Sequence, residues 1–387
     1  MVYLDYAATT PVYPEAMAAM QPFLAEAFAN PSGGHAAART AKNALEEARE
    51  HVATALAAAP SEIVFSGGGT EADNLAVKGA ARAAREAGLG DAVVTTAFEH
   101  KGVLAPCDRL AREGFRVTRV PVDGAGIVDL ERLSEALDAS TVVVSVMLVN
   151  NEIGTVQPLD EVAGLVRDGA PRALLHTDAV QAVPWLDVAD AAAVADLVSI
   201  SAHKFGGPKG VGALVRRGDA QIQPLIEGGG QEWGLRSGTA NVAGAVGLAA
   251  ALRVTAERRS DEVARVRVLR DRLAGGLAER VPGCFFNGDA ARKVAGNCHV
   301  GVPGIEAEAL LVLLDERGVC AAAGSSCTSG ATEPSHVLAA MGLSREDALA
   351  SIRLSLGYAS TDADVDTALD VIPRAVEQLR PAVTATR

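Results

Sequence analysis

The chain has 387 residues, 49% of them hydrophobic, 21% charged and 4% aromatic, and 35 basic against 48 acidic side chains leave a formal charge of −13. Such a length is about 2.6 times an ordinary single domain, so two domains are expected. The composition excludes a disordered or fibrous chain, and a pI near 5.1 gives no basic stripe to attract nucleic acid or anionic lipid.

The longest apolar stretches, such as Val142 to Val149, fall short of the roughly 18 residues that span a bilayer. No basic segment followed by an apolar run surrounds Asp5, so a cytoplasmic location is expected. Short apolar runs then alternate with helical patterns, predicting strands at Ile63 to Ser66, Ala92 to Thr95, Phe115 to Val120, Val142 to Val149, Ala173 to Thr177, Leu197 to Ser201 and Val211 to Arg216. That alternation predicts an α/β domain with a seven-stranded, mainly parallel sheet, whose ligands belong at the carboxyl ends of the strands. Asn241 to about Arg280 reads as one long helix or two in succession. A smaller α+β unit follows, with strands at His299 to Val302, Val319 to Ala322 and Ile352 to Leu356 and helices at Glu306 to Arg317, Ser335 to Met341 and Asp362 to Leu379. The expected division is a large domain over 16–259 and a small one made of 1–15 and 260–387.

Residues just after these strands carry the chemistry. Lys204 follows an apolar strand in Ser201-Ala202-His203-Lys204, where desolvation would depress an amine into a nucleophile for aldehydes; a solvated loop lysine is the alternative. Gly67-Gly68-Gly69-Thr70 joins a strand to a helix, so its N–H groups suit a phosphate or simply form a tight turn. Asp178, with Gln181 nearby, ends another strand; it is either the partner of a protonated ring nitrogen or a helix cap. The cysteines Cys107, Cys284, Cys298, Cys320 and Cys327 form no C-x-x-C pair, which fits reduced thiols and no metal site. Cys327 sits among glycines and serines, an exposed setting for a thiolate nucleophile, whereas the other four lie in helical or strand-like surroundings and Cys320 reads as a buried strand residue. Arg353, within an apolar strand, needs an anion, either a substrate carboxylate or an internal acid.

Seven motifs, Leu4–Pro11, Gly69–Asn74, Glu99–Lys101, Val149–Gly154, Ser201–Lys204, Arg236–Thr239 and Gly324–Ser329, resemble in order those of the class V aminotransferase group, and most closely cysteine desulfurases of the NifS/IscS type. The resemblance implies the fold type I of pyridoxal phosphate enzymes and conversion of L-cysteine to alanine, leaving a persulfide on Cys327. It implies that Lys204 bonds the cofactor aldehyde and shuttles protons, that Asp178 holds the pyridine nitrogen, and that His100 lies over the ring. Gln181 and Asn151 would hold the phenolic edge. Gly69, Thr70, Ser201 and His203 would grip the phosphate, with Thr239 reaching it across a homodimer interface. Arg353 and Asn151 would bind the substrate, its carboxylate going to Arg353. The wide interval from Cys327 to Arg353 resembles the long-loop group I type, which implies delivery to a protein acceptor such as an iron–sulfur scaffold, or to thiolation of tRNA or cofactors. Selenocysteine lyase, another class V aminotransferase and a catalytically inactive sulfur-relay partner are the alternatives. Ala321-Ala322-Ala323 in place of serines and Tyr6 in place of asparagine depart from the pattern.

Overall fold

Each apolar run between Ile63 and Arg216 becomes a strand of one sheet, and β-branched residues dominate them because both faces are covered. The computed structural model describes residues 1–324 and 333–380. Its strands are β1 (Val2–Tyr3), β2 (Ile63–Ser66), β3 (Ala92–Thr96), β4 (Arg116–Val120), β5 (Thr141–Ser145), β6 (Leu174–Asp178), β7 (Leu197–Ser201), β8 (Gly212–Arg216), β9 (Phe285–Phe286), β10 (Asn297–Gly301), β11 (Val319–Cys320) and β12 (Ser351–Ser355). The seven-stranded sheet has the order β2-β8-β7-β6-β5-β3-β4. Only β8 runs against the others.

The region Asn241 to Arg280 resolves into one helix, Val242–Arg280, of 39 residues, about 58 Å long at 1.5 Å per residue. Asn241 starts it by accepting from Gly244 N through its side chain, and no proline interrupts it. The first half packs Leu248, Leu252 and Val254 into the core around Val144, Val198 and Ile200. Its second half packs Val266, Leu269 and Leu273 against Leu310, Leu354 and Ile372. The second core lies under the three-stranded sheet β12-β10-β9 and the helices Ala307–Glu316 and Asp362–Leu379. The N-terminal β1 joins this unit by pairing with β11.

The chain departs from its sequence reading in a few places. The run Val142 to Val149 leaves the sheet after Ser145, although Val146 to Val149 remain buried; their apolarity reflects burial beside β6 rather than strand pairing. That early exit lets the chain turn at Asn150, whose Oδ1 accepts from Glu152 N and Ile153 N. The two-residue β9 was too short for periodicity to reveal, and Cys284 sits in the turn before it. Cys320 is a strand residue, as expected, but half-buried rather than buried, because β11 pairs only with β1.

Candidate active site

With β2, β3, β5, β6 and β7 all parallel, their carboxyl ends open on one side of the sheet. There they wall a cleft with a volume of ≈ 290 Å³. β2 leads into Gly69 and Thr70, β3 into His100, β5 into Asn151, β6 into Asp178 and Gln181, and β7 into Ser201, His203 and Lys204. Arg353 enters from the small unit, so ten of the eleven described residues that the sequence reading named line this one cavity: Gly69, Thr70, His100, Asn151, Asp178, Gln181, Ser201, His203, Lys204 and Arg353; Asp73, which it did not single out, joins them. Thr239 is the exception; it is exposed and does not line the cleft. Cys327 lies outside the described residues.

Lys204 ends the short turn Ala202–Lys204 and reaches across to the N-terminal segment. Its Nζ donates to the carbonyls of Ala7 at 2.7 Å and Ala8 at 2.8 Å. Gln181 Nε2 donates to the same Ala7 oxygen at 2.8 Å. Thr10 donates to His203 O from both its backbone N–H and its hydroxyl. Ala7 and Ala8 therefore line one wall of the cleft, and Thr9 and Thr10 tie that segment to His203.

Asp178, Asp73 and His100 bring ligand atoms within 4.8 Å of one another. Burial pushes Asp178 up from the usual carboxylate range, while the charges of His100 and Lys204 pull it back. Asp73 is raised well above its ordinary value by burial and then by the negative charge of Asp178. Two carboxyls in one dry pocket do not both ionise easily, and the pair titrates as a unit. Behind them His176 bridges Ser145 Oγ at 2.9 Å and Ser199 Oγ at 3.0 Å, and burial holds its pKa down at about 3. Its approach of 3.7 Å to Asp73 is thus contact with a neutral ring. Asp178 Oδ1 also accepts from Val180 N at 2.9 Å, but residues 180–185 form turns and the next helix begins only at Val188, so this is a local turn contact beside the cleft and not a helix cap.

The strand-to-helix turn is built for close backbone approach. Gly68 has φ +143°, and a Cβ on Gly69 would lie 2.7 Å from Val180 Cγ2 and 3.3 Å from Ser201 Cβ. The helix that begins at Gly69 runs on through Leu75–Gly79 to Glu86, so its first N–H groups face the cleft as an anion site. His203, hydrogen-bonded through Nδ1 to Thr9 Oγ1 at 3.1 Å, has its pKa lowered by burial to about 4, so it is a neutral partner at physiological pH. Glu71 fastens the turn: it accepts from Gly67 N at 2.9 Å and from Arg236 Nε at 2.8 Å, tying the segment that leads to Thr239 to the same turn.

Arg353 is buried on β12. Of the two partners its sequence context allowed, the described atoms supply the internal acid: an η nitrogen donates to Asp5 Oδ1 at 2.8 Å, and the other to Asn151 O at 2.8 Å. Its Nε and the side-chain oxygen of Asn151 are buried without a hydrogen-bond partner among the described residues, a spare donor and acceptor on two residues that line the same cleft. Nearby, Ser335 Oγ donates to Glu152 Oε2 at 2.5 Å and His336 Nε2 donates to Glu99 O at 2.8 Å. These contacts, with those of Asp5, Ala7, Ala8, Thr9 and Thr10, join residues remote in the sequence; the motif Leu4–Pro11 was the only available signal, and it carried no role.

Among the described residues no helix is long and apolar enough to cross a membrane. The aminotransferase class-V family model matches residues 2–368. The chain is 44% identical over 381 residues to a protein of Clostridium botulinum named cysteine desulfurase IscS, covering 98% of this chain and 95% of that one. It is 45% identical over 394 residues to an IscS-like cysteine desulfurase of Mycobacterium tuberculosis, covering 100% and 98%. A solved NifS-like protein superposes with a TM-score of 0.92 at 37% identity, covering 98% of this chain and 100% of its own.

Proposed function

The chain belongs to the aminotransferase class-V family and, within it, to the cysteine desulfurases of the IscS/NifS type, and from that premise we propose that the cleft beside Lys204 holds pyridoxal phosphate and L-cysteine. The residues present suit that cofactor. A buried acid at Asp178 matches a protonated ring nitrogen, the Gly69 backbone, bare of a Cβ that would meet Val180 and Ser201, matches a closely held phosphate, and the Asn151 oxygen, unpartnered among the described residues, matches a polar ring edge. Thr70, Ser201 and His203 would share the phosphate, Gln181 the phenolic edge, and His100 the ring face.

When bound, pyridoxal phosphate supplies an aldehyde that captures an amino group and a protonated ring that takes up electrons from a bond broken at the α-carbon. Asp178 would keep the ring nitrogen protonated through a charge-assisted hydrogen bond. Lys204, whose amine is within reach of the same space, would remove the α-proton and return it later in the cycle. Arg353 and Asn151 would orient L-cysteine by its carboxylate. His100, whose pKa is lowered chiefly by burial, would accept a proton through its imidazole and pass it on. Cys327 would bond its thiolate sulfur to the substrate Sγ as the substrate's Cβ–Sγ bond breaks; the carbon skeleton gains a proton at Cβ and leaves as alanine.

The observation that carries the reading is the meeting of Lys204, Asp178, Gln181 and Arg353 in one cavity from three separate strands. In the same proposal the exposed Thr239 serves the site of a second protomer in a homodimer, and the persulfide passes to a protein acceptor, such as an iron–sulfur scaffold, in the cytoplasm. The large unit would comprise 16–259 and the small one 1–15 with 260–387, the two cores meeting along the helix Val242–Arg280. The test is borohydride reduction of the purified protein followed by peptide mapping, alongside alanine and sulfide release from L-cysteine by the wild type and Cys327→Ser. A cofactor adduct on Lys204 and loss of sulfide release in Cys327→Ser are expected. No adduct at Lys204 overturns the reading of the cleft, and equal turnover by both forms overturns the role of Cys327.

A further inference from the structure

We propose that Asp5 is the positioning residue that aims the Arg353 guanidinium at the substrate carboxylate. The inference rests on the reading of Arg353 given above and goes beyond it by assigning the residue that orients that side chain.

An arginine side chain has several rotatable bonds but a rigid planar head, so two fixed acceptors are enough to set the plane of the head. Arg353 has two: Asp5 Oδ1 on one η nitrogen and the Asn151 carbonyl on the other, each at 2.8 Å. Its side chain is only 2% exposed, that of Asp5 19%. The Nε–H is buried and has no hydrogen-bond partner among the described residues, and Arg353 lines the cleft together with Asn151. A carboxylate can therefore dock on the guanidinium without displacing Asp5, using the Nε edge and a remaining η N–H.

Asp5 is itself held in place. On one side Leu4 N donates to Cys320 O and Ser355 N to Leu4 O; on the other Tyr6 N donates to Ser355 O, and Ala7 N donates to Ser355 Oγ. The carboxylate is thus delivered by a segment stitched to β12 two residues from Arg353. Two residues further along, the same segment offers the Ala7 and Ala8 carbonyls to Lys204. One short stretch therefore sets the spacing between the cation that grips the substrate and the amine that moves its proton. The other groups facing Arg353 do not do this. His299, its register partner on β10, is held neutral, its pKa pushed down to about 3 by burial. Glu152 makes its hydrogen bond to Ser335.

Orientation and charge are separable by substitution. Asp5→Asn keeps an oxygen for the guanidinium and removes the charge; Asp5→Glu keeps the charge and moves the oxygen by one methylene; Asp5→Ala removes both. The readouts on the cofactor-loaded protein are KM and kcat for L-cysteine, and dissociation constants for L-alanine and for cysteamine, which lacks the carboxylate, from the cofactor's absorbance. Loss of a hydrogen bond to a charged group corresponds to about tenfold or more. Asp5→Ala and Asp5→Glu are expected to raise KM and the L-alanine constant by about that factor, with cysteamine binding unchanged and kcat within about threefold, and Asp5→Asn to stay close to wild type. Arg353→Gln separates the two claims. If it raises the L-alanine constant while Asp5→Ala and Asp5→Glu leave it unchanged, the role of Asp5 is refuted and that of Arg353 stands; if it has no effect, the carboxylate reading of Arg353 fails first. Equal weakening of L-alanine and cysteamine in the Asp5 variants means a general structural role and overturns the proposal. So does an impaired Asp5→Asn beside a normal Asp5→Glu, since charge rather than aim would then matter.

Discussion

Replacing Glu99 by glutamine tests the electrostatics beneath the site. Glu99 is fully buried next to His100; its Oε1 accepts from Thr96 Oγ1 at 2.7 Å and Met147 N at 2.8 Å, and Oε2 has no partner among the described residues. Burial pushes its pKa up from 4.5 to about 8, against the pull of those two hydrogen bonds. In the folded protein the group is thus protonated at neutral pH, whereas in the unfolded chain it ionises above about pH 4.5. The unfolded state then holds fewer protons, so the fold loses stability as pH rises through this window. At about 1.4 kcal/mol for each pH unit, the loss is about 3 kcal/mol at pH 7 and about 5 kcal/mol above pH 8. Glu99→Gln keeps an oxygen for Thr96 and Met147 and never ionises, so it escapes this cost. Urea midpoints at pH 5, 6, 7 and 8.5, converted with the measured slopes, should show the variant gaining on wild type by about 1.4 kcal/mol per pH unit up to pH 8 and levelling off beyond. A difference that does not change with pH, or a wild type that gains on the variant as pH rises, would refute the argument by showing Glu99 ionised in the fold.

Three further outcomes follow from single contacts. Gly69→Ala places a methyl 2.7 Å from Val180 Cγ2, which should cost about 1–3 kcal/mol and weaken cofactor retention, measured by equilibrium dialysis; unaltered retention would show that the turn is not the phosphate cradle. Arg49→Ala removes the partner of Glu232, whose side chain is 6% exposed and bound at 2.8 Å. It should destabilise by about 3–5 kcal/mol in urea, because the Glu232–Trp233 turn, with φ of 49° and 61°, loses its clamp; a loss under 1 kcal/mol would mean that the clamp contributes little. Asp178→Asn should lower kcat for L-cysteine about ten- to a hundredfold by replacing a charge-assisted hydrogen bond with a neutral one, while unchanged turnover would detach Asp178 from the ring nitrogen.

What was readable in the linear chain was whatever repeats or ends locally. Period-two and all-apolar runs announced the seven strands of the large sheet because a strand's burial is set by its own few residues, and a parallel sheet delivers the residues after those strands to one edge, so Lys204, Asp178 and the Gly69 turn could be gathered into a site before any coordinates, while His100 came only from the family resemblance. The cleft's second wall was not readable in this way. Asp5 and Arg353 are 348 positions apart, Lys204 meets Ala7 across 197, and the raised pKa of Asp73 depends on where Asp178 lies. Partners and proton counts of buried charges are decided by which distant segments share a dry space, and no pattern within one segment encodes that; packing two cores along one 39-residue helix does.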